Sequence, residues 1–375
     1  MKEGKVNMTE CEFAPSCGAK EVHLVLVPDC TSLTFDGQCD ALFESFRRKL
    51  DLMPGLVPVF ERFFISDAFS QQNKLEERLR NCNCAVSIIQ QPPLGGAKIA
   101  MLAVLIQDAY VTVRENGLVV FSHGSCKHIL DCSRRIPTGT STRQQTRELF
   151  LSYCERTDEL GCTLADNCVR TWLFVNDIDN EYAGAVTARN EVFNSQGLTN
   201  ETHFIASTGI GGRSADSREM VMMDAYAVAG LVPGQQHYLY APTHMNRTSE
   251  YGVSFERGTV VDYGDRRHVL ISGTASIDNK GRILYPGDVL GQTGRMLENV
   301  GQLLSEADCT FDDVMHMIVY LRDISDYRTV ADVFSARFAG KPYILVHAPV
   351  CRPGWLVEME CVAARRCDNV LYDKF

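Results

Sequence analysis

A cysteine, an arginine and two glutamates near the end of the chain have types and spacing suited to acid-base chemistry. Cys351 and Arg352 precede the run 356–361, in which apolar and acidic residues alternate as they do in a half-buried strand. Glu358 and Glu360 lie two positions apart, so their side chains point to the same face of such a strand. Burying these carboxyls is costly unless a function needs them there. The alternative is an exposed acidic face with the core on the other side.

Glu358 is the candidate proton donor. It follows Trp355, Leu356 and Val357, and burial among apolar side chains raises a carboxyl pKa because it disfavours the charged form. The charge of Glu360 acts in the same direction. A carboxylic acid that keeps its proton near neutral pH is suited to general acid catalysis. The alternative is an ordinary glutamate on a surface strand.

An internal repeat indicates which elements position these residues. Residues 309–325 contain an acidic turn, an apolar strand-like run ending in Asp-Ile, and a polar helix start, and residues 162–179 repeat that order. A weaker copy contains the strand-like run 58–67. The periodicity predicts helices at 40–50, 75–80, 142–157, 182–195, 291–306 and 327–338. It predicts further strands at 84–89, 98–105, 203–208, 219–228, 343–348 and 356–363.

The repeat predicts a mixed α+β fold of tandem modules, each module with two helices packed on one face of a mixed sheet. We expect a first module at 1–110 and a second at 111–232. A linker rich in Pro, Gly, Tyr and Asn follows at 233–250, and a third, catalytic module at 251–375. At the position of Glu358 the second copy has Met222, and the first has Met101 or Ala100. Since only the third copy keeps an acid there, we expect one surviving active site.

Composition indicates a globular chain of two or three domains. Of its 375 residues, 45% are apolar and 22% are charged. The first residues, Met1 to Pro15, contain no apolar run typical of a signal peptide, and no apolar stretch reaches the roughly 18 residues of a membrane span. We therefore expect a cytoplasmic protein with no membrane partner. The net charge of −10 disfavours nucleic acid as a partner.

The 15 cysteines are scattered, form no CxxC pair and do not coincide with clustered histidines, so no metal site is predicted. Cys82 and Cys84 are the closest pair, and their position on a strand-like segment favours a structural role. Reduced and mostly buried thiols are typical of a cytosolic chain.

Four segments of the third module match one known family: His268 to Ser276, Gln292 to Asn299, Val319 to Asp323 and Val357 to Glu360. Through them the module resembles the Rid/YjgF family, formerly labelled endoribonuclease L-PSP. The resemblance implies trimers of single modules with imine-hydrolysing sites between subunits. For a chain of three modules it implies a pseudo-trimeric arrangement. The arginine that binds the substrate carboxylate in this family lies at the start of the next-to-last strand. Here that position is Tyr343, so imine deaminase activity does not carry over directly.

A narrower resemblance extends from Val169 to Cys367. Its hallmark is Cys351-Arg352 followed by Leu356-Val357-Glu358. Its other segments are 169–172, 177–180, 206–211, 251–257, 272–276 and 286–293. These segments resemble the chorismatases, which are built on the same fold with an added N-terminal portion. Residues 240–255 lack an arginine and a proline of the family pattern, and residues 1–150 match only faintly.

The resemblance implies roles for individual residues. Arg352 would bind a substrate carboxylate bidentately. The weaker candidates for substrate binding are Arg257, Arg170, Arg322, Tyr251, Tyr240 and Gly273. The alternative for Arg322 is a position facing solvent, and the alternative for the two tyrosines is a role in covering the core. Cys351 would be catalytic: cysteine goes with the form that makes 3-hydroxybenzoate, and valine with hydrolysis to a dihydroxycyclohexadiene carboxylate. The alternative for Cys351 is an inert, half-buried thiol.

We therefore predict a chorismatase-like enzyme. Glu358 would protonate the vinyl carbon of the enolpyruvyl ether of chorismate, and pyruvate would leave without any metal or organic cofactor. One alternative is a Rid-type deaminase of imines or enamines, and the other is a non-catalytic binding or scaffold protein. A ribonuclease gains no support from a net charge of −10. Both a monomeric pseudo-trimer and a homo-oligomer are compatible with the sequence.

Overall fold

Alternating strands and helices build three successive sheets in a computed structural model, which describes residues 5–29 and 31–375 but not the side chain of Tyr251. The first module contains β1 (Val6–Phe13), β2 (Glu21–Pro28), α1 (Phe35–Asp51), β3 (Leu56–Ile65), α2 (Ala68–Arg78), β4 (Ala85–Gln90) and β5 (Ile99–Gln107). The second contains β6 (Tyr110–Val113), β7 (Val119–His123), β8 (Cys126–Arg135), α3 (Thr142–Asp158), α4 (Leu164–Asn167), β9 (Cys168–Val175), α5 (Ile178–Ser195), β10 (Ala206–Gly211) and β11 (Val221–Ala229). The third contains β12 (Gln236–Leu239), β13 (Gly258–Asp262), β14 (Arg266–Ala275), α6 (Val289–Glu306), β15 (Val314–Leu321), α7 (Tyr327–Arg337), β16 (Tyr343–His347) and β17 (Val357–Arg366).

The three sheets share one topology. Their strand orders are β1-β2-β5-β3-β4, then β6-β7-β8-β11-β9-β10, then β12-β13-β14-β17-β15-β16, so the second and third sheets each gain one edge strand. In each sheet the last two strands of this order are parallel and the other pairs are antiparallel. The predicted mixed α+β fold of tandem modules is confirmed. The segment 233–250, predicted as a linker, contains β12, which pairs with β13. The module boundaries themselves stay a prediction.

The helices pack on one face of each sheet because their apolar residues form a stripe. In α6, for example, Leu297, Val300 and Leu304 recur at spacings of three and four residues and are buried. The helix begins where the Asp288 side chain accepts a hydrogen bond from the Gly291 N–H at 3.0 Å. This helix contacts β14 and β17, the strands that carry the predicted site.

The modules are arranged cyclically. Residues Ile88 of β4 and Ser133 of β8 connect the first module to the second, through a 2.9 Å hydrogen bond. Ser207 of β10 and Ser272 of β14 connect the second to the third at 3.0 Å. The cycle closes where β15 of the third module contacts β2 of the first. The first two interfaces use equivalent strands, β4 with β8 and β10 with β14, while the third uses β15 with β2. The contacts form a closed cycle, so three modules of one chain reproduce a trimer-like arrangement.

Candidate functional site

The strand β17 is buried on both faces. Glu358 and Glu360 are 4% and 3% exposed, and Val357, Met359 and Cys361, which alternate with them, are also buried. The alternative of an exposed acidic face therefore does not hold in the structure. Two neighbouring carboxyls lie in the protein interior, where each needs a partner or a raised pKa.

The sheet register identifies the equivalents of Glu358 in the other modules. Glu358 pairs with Tyr320, the next-to-last residue of β15. At the same place in the repeat, Met222 pairs with Phe174 and Ala100 pairs with Phe64. Of the two candidates in the first module, the equivalent is thus Ala100. Among the three equivalent positions, only the third module carries an acid.

A cavity of about 230 Å³ lies between the second and third modules. Its size is that of a small-metabolite site, somewhat below the roughly 300–1,000 Å³ of drug-sized pockets. Glu358 lies on its wall with three arginines and with Cys351, which belongs to the loop before β17. The full lining comprises Tyr182, Ala183, Val186, Arg189, Ser207, Thr208, Gly209, Gly252, Val253, Phe255, Arg257, Gly273, Ala275, Ile277, Cys351, Arg352, Trp355 and Glu358.

Burial sets the protonation of Glu358. It raises the pKa of this carboxyl to about 8, and the negative charge of Glu360 adds to the shift, while Arg170 and Arg257 oppose it. Glu358 therefore holds its proton at neutral pH. A buried acid on a cavity wall that is protonated at neutral pH can donate a proton to a bound molecule.

A bulge in β14 makes room for the Glu358 side chain. The register of β14 against β17 shifts between Ile271 and Thr274, so an extra residue stands opposite β17. Gly273 lies in this bulge, and a Cβ at its position would collide with Glu358 Oε1. The Gly273 N–H donates to Thr208 Oγ1 at 2.9 Å, which fixes the bulge against the second module. A side chain at 273 is therefore incompatible with this position of Glu358.

Three arginines give the cavity a positive wall. Arg352 and Arg257 lie there as the sequence predicts, Arg352 with its guanidinium carbon 5.0 Å from the Trp355 ring. Arg189 of α5, which sequence reasoning missed, also lines the cavity and is 1% exposed. Within the part of the chain that the structure describes, its Nε and Nη2 atoms have no hydrogen-bond partner. A buried guanidinium with available donors is suited to binding a carboxylate.

A signal for Arg189 was present in the sequence. It lies on the buried stripe of α5 with Ala185, Ala188, Val192 and Phe193. An arginine in such a stripe is costly unless a partner or a ligand compensates its charge. That cost makes arginine on an apolar helix face a candidate site residue.

Cys351 lies on the cavity wall as a neutral thiol. Burial raises its pKa to about 12, the charge of Glu358 adds to this, and Arg352 opposes it. Tyr182 of α5 hydrogen-bonds to it and also lines the cavity. The thiol therefore faces the cavity and is not a preformed thiolate nucleophile.

Two of the predicted binding arginines, Arg170 and Arg322, lie outside the cavity wall. Arg170 is buried and donates from Nη2 to Glu360 Oε2 at 2.9 Å. Arg322 forms an ion pair with Asp179 at 2.9 Å and also donates to the carbonyl of Val350. These contacts hold both arginines away from a ligand.

The two predicted tyrosines lie in the segment between β12 and β13. The ring of Tyr240 stacks on Arg247, whose guanidinium carbon lies 4.5 Å from the ring centre, and Tyr240 does not line the cavity. The backbone of Tyr251 belongs to a short 3-10 turn, Thr248–Tyr251, next to cavity residue Gly252. Its side chain lies outside the described structure.

Comparison with solved structures places this arrangement of modules in a known fold. A crystal structure of chorismatase superposes with a TM-score of 0.65 over 84% of this chain and 95% of the other, at 21% sequence identity. At that identity, the likeness defines the fold. The protein thus has the modular α+β fold of that chorismatase structure.

Sequence comparison assigns the family through the third module. The profile of the endoribonuclease L-PSP family matches residues 259–365. A RutC family protein of Pyrococcus abyssi is 32% identical over 97 residues, which cover 25% of this chain and 76% of the relative. The 2-iminobutanoate/2-iminopropanoate deaminase of Bos taurus is 34% identical over 101 residues, covering 26% and 74%. The chain therefore belongs to the RutC family. Among its described residues, no helix combines the length and apolarity needed to cross a bilayer.

Proposed function

We propose that this protein cleaves the enolpyruvyl ether of chorismate and releases pyruvate. The observation that carries the proposal is Glu358, a buried carboxyl with a pKa of about 8 on the wall of a cavity that also contains three arginines. Ether cleavage needs a proton on the vinyl carbon, and chorismate carries two carboxylates. An acid that is protonated at neutral pH and a positive wall match both requirements.

Glu358 donates its proton to the terminal methylene carbon of the enolpyruvyl group, which leaves an oxocarbenium ion at the ether carbon. Arg352 and Arg189 bind the two carboxylates and hold the ether against the acid. An oxygen nucleophile must then add to the oxocarbenium carbon, where it becomes the keto oxygen of pyruvate, while the ether oxygen stays on the ring. If water adds, the ether bond breaks, the proton lost by that water returns to Glu358, and the products are pyruvate and a dihydroxycyclohexadiene carboxylate. If the ring hydroxyl of chorismate adds instead, its oxygen leaves with pyruvate, and the ring loses a proton as it becomes aromatic. That proton restores Glu358, and the products are pyruvate and 3-hydroxybenzoate.

Cys351 favours the 3-hydroxybenzoate product. The thiol is neutral and lies on the same wall as Glu358, so it contacts the ring without adding charge to it. Gly273, beside Glu358, is consistent with the cysteine-containing form of the chorismatases.

The direct test is incubation of the purified protein with chorismate, with pyruvate followed by a coupled lactate dehydrogenase. We expect pyruvate from the wild type and a rate lower by about 10²–10⁴-fold in Glu358→Gln, the usual contribution of a general acid. Glu298→Gln, on the exposed face of α6, is the matched control and should keep full activity. Absence of pyruvate from folded protein, or full activity in Glu358→Gln, rules the proposal out.

A Rid-type deaminase is the second candidate, since 101 residues of the chain are 34% identical to the 2-iminobutanoate/2-iminopropanoate deaminase of Bos taurus. Against it, Tyr343 of β16 stands where that family has its carboxylate-binding arginine. In the second module, the residue at the same register position as Tyr343 is Ser207 of β10, and Ser207 lines the Glu358 cavity. Neither side chain carries a positive charge. Ammonia release from 2-iminobutanoate generated in the assay, together with no product from chorismate, would favour this candidate instead.

A further inference from the structure

A carboxyl and two thiols converge at one end of the first sheet, far along the chain from the Glu358 cavity. Cys82 and Cys84 have their sulfur atoms 3.3 Å apart, and Cys82 Sγ lies 3.9 Å from Glu61 Oε2. All three potential ligand atoms lie within 4.8 Å of one another. None of these residues lines the Glu358 cavity.

Parallel pairing of β3 and β4 brings the cluster together. Glu61 of β3 is paired with Val86 of β4, and Cys84 is two positions ahead of Val86, on the same face of the sheet. Beyond α2, the Cys82 N–H donates to the Leu79 carbonyl at 2.8 Å, which turns the chain back toward β3. The fold thus orients two thiols toward a carboxyl that is distant in sequence.

Glu61 is a buried carboxyl without a cation. It is 5% exposed, and among the described residues no lysine, arginine or histidine forms an ion pair with it. Its side chain hydrogen-bonds to the thiols of Cys82 and Cys84. An ionised group in such a place needs a cation, and the residues that face it are ligands for soft metals.

We propose that Glu61, Cys82 and Cys84 bind a thiophilic divalent cation of the Zn²⁺ class. Two thiolates and one carboxylate are a donor set that such an ion accepts, with metal-sulfur bonds of about 2.3 Å. Tetrahedral coordination at that length separates two sulfur ligands by about 3.8 Å and a sulfur from an oxygen by about 3.5 Å. The observed separations of 3.3 and 3.9 Å differ from these by only a few tenths of an ångström.

Three protein ligands leave a fourth position open. Cys82 is only half-buried, so water or an external ligand can reach the cation from the side on which Cys82 is exposed. Sites with an open position exchange ligands, whereas purely structural zinc sites are closed by four protein ligands. The bound ion would also connect the loop before β4 to β3, because its ligands come from both.

Cobalt is the probe for this site, since Co²⁺ bound to thiolates gives charge-transfer bands and tetrahedral ligand-field bands. Full-length protein, reduced and freed of metal with a chelator, is titrated with Co²⁺ and then with Zn²⁺. We expect one Co²⁺ per chain with thiolate bands, and loss of these bands on adding Zn²⁺. Cys82→Ser and Cys84→Ser should each weaken binding by at least about tenfold, the smallest effect reported even for outer-shell partners.

Two further variants make the test specific. Glu61→Gln should weaken binding while the thiolate bands of the saturated protein persist. Cys154→Ser changes another half-buried thiol, on α3, and should bind Co²⁺ like the wild type. If the serine variants do not fold, protection of Cys82 and Cys84 from alkylation by Zn²⁺ in the wild type replaces them, with peptide mapping as the measurement.

Specific results would overturn the proposal. Absence of thiolate bands in the wild type would do so, as would equal binding by the serine variants or unprotected thiols in the presence of Zn²⁺. A Cys82–Cys84 disulfide in the isolated protein, with no Co²⁺ binding after reduction, would show that the pair is a redox couple instead.

Discussion

Glu358 illustrates how one residue obtains its chemistry from its surroundings. The same residue type in the same strand, Glu360, accepts hydrogen bonds from Arg170, Trp172 and Thr208 at 2.9, 2.7 and 2.5 Å. Glu358 instead faces the cavity with a pKa of about 8. Two carboxyls separated by one residue therefore differ in role: Glu360 is a buried anion held by cationic and neutral donors, and Glu358 is a protonated acid.

The proposed reaction should depend on pH through Glu358. The donor is active while it keeps its proton, so pyruvate release should be constant below a pH of about 8 and fall above it, as the carboxyl with a pKa of about 8 ionises. The measurement is the pH profile of kcat/KM with chorismate. A rate that rises through that range would contradict the role of Glu358 as acid.

Glu358→Gln should stabilise the fold at neutral to basic pH. The pKa of this carboxyl rises from an ordinary 4.5 to about 8 on folding, so the folded chain holds a proton that the unfolded chain releases between these values. The free energy of unfolding therefore falls as pH rises from about 4.5 to about 8. The Gln variant has no such carboxyl, so its free energy of unfolding should exceed that of the wild type at pH 8, by a few kcal/mol at most. Urea unfolding at pH 8 should show the gain, and at pH 4 wild type and variant should agree.

Cys351→Val should change the product and keep the cleavage. The thiol is neutral, with a pKa raised to about 12, so its replacement leaves the charge of the site and the proton on Glu358 unaltered. We expect pyruvate release within about tenfold of the wild type and a shift from 3-hydroxybenzoate toward the dihydroxycyclohexadiene carboxylate. Mass spectrometry distinguishes the two by one water. An unchanged product ratio would assign Cys351 to packing alone.

At the scale of elements, the bulge of β14 decides where the acid lies. A regular antiparallel pairing of β14 with β17 would place a side chain against each inward residue. The register shift between Ile271 and Thr274 puts Gly273 next to Glu358 instead, with its N–H bonded to Thr208 of β10. The site thus depends on the contact of two modules as well as on one strand.

Gly273→Ala tests this dependence. The added methyl group would collide with Glu358 Oε1 and also approach Thr208 Cγ2 at 3.0 Å. Overpacking of this kind costs about 1–3 kcal/mol of stability, and a displaced acid should lower kcat by about a hundredfold. Steady-state kinetics and thermal unfolding measure the two effects. Gly294→Ala in α6, where no atom outside the helix's own backbone lies within 4 Å of the added group, is the control. It should leave kcat unchanged and raise stability, by about 0.5–1 kcal/mol, because alanine is favoured over glycine inside a helix.

On the scale of the whole molecule, buried charges connect the three modules. Arg62 of β3 donates to Asp224 of β11 at 2.8 Å, and Arg170 of β9 donates to Glu360 of β17 at 2.9 Å. Each pair joins two different modules. Because none of these four side chains is more than 4% exposed in its ion pair, loss of one partner leaves a charge in the interior.

Arg62→Met should therefore destabilise the protein by about 3–5 kcal/mol, the usual cost of an unpaired buried charge. Replacing both partners, in Arg62→Met with Asp224→Leu, should cost less than the sum of the two single changes. Urea unfolding of the four proteins of this cycle gives the coupling. Strict additivity would show that the pair does not hold the first and second modules together.

The sequence by itself determined the local order of elements and singled out Glu358 as the candidate acid. The alternation in β17 follows the two-residue period of a strand, and the apolar stripes of the helices follow a period of three to four residues. Both periods can be read from residues close together in the sequence. The repeat then distinguished Glu358 from Met222 and the equivalent residue of the first module, which the register shows to be Ala100. These inferences needed no distant contact.

Tertiary structure decided which arginines can meet a ligand. Arg170 and Arg189 both occupy buried positions, yet Arg170 pairs with Glu360 from another module while Arg189 reaches the cavity. Likewise, Glu61 and Cys84 approach one another only because β3 and β4 pair in parallel. The physical reason is the same in both cases: strand and helix periods fix the face of a side chain, but its partners on that face come from segments that only packing brings together.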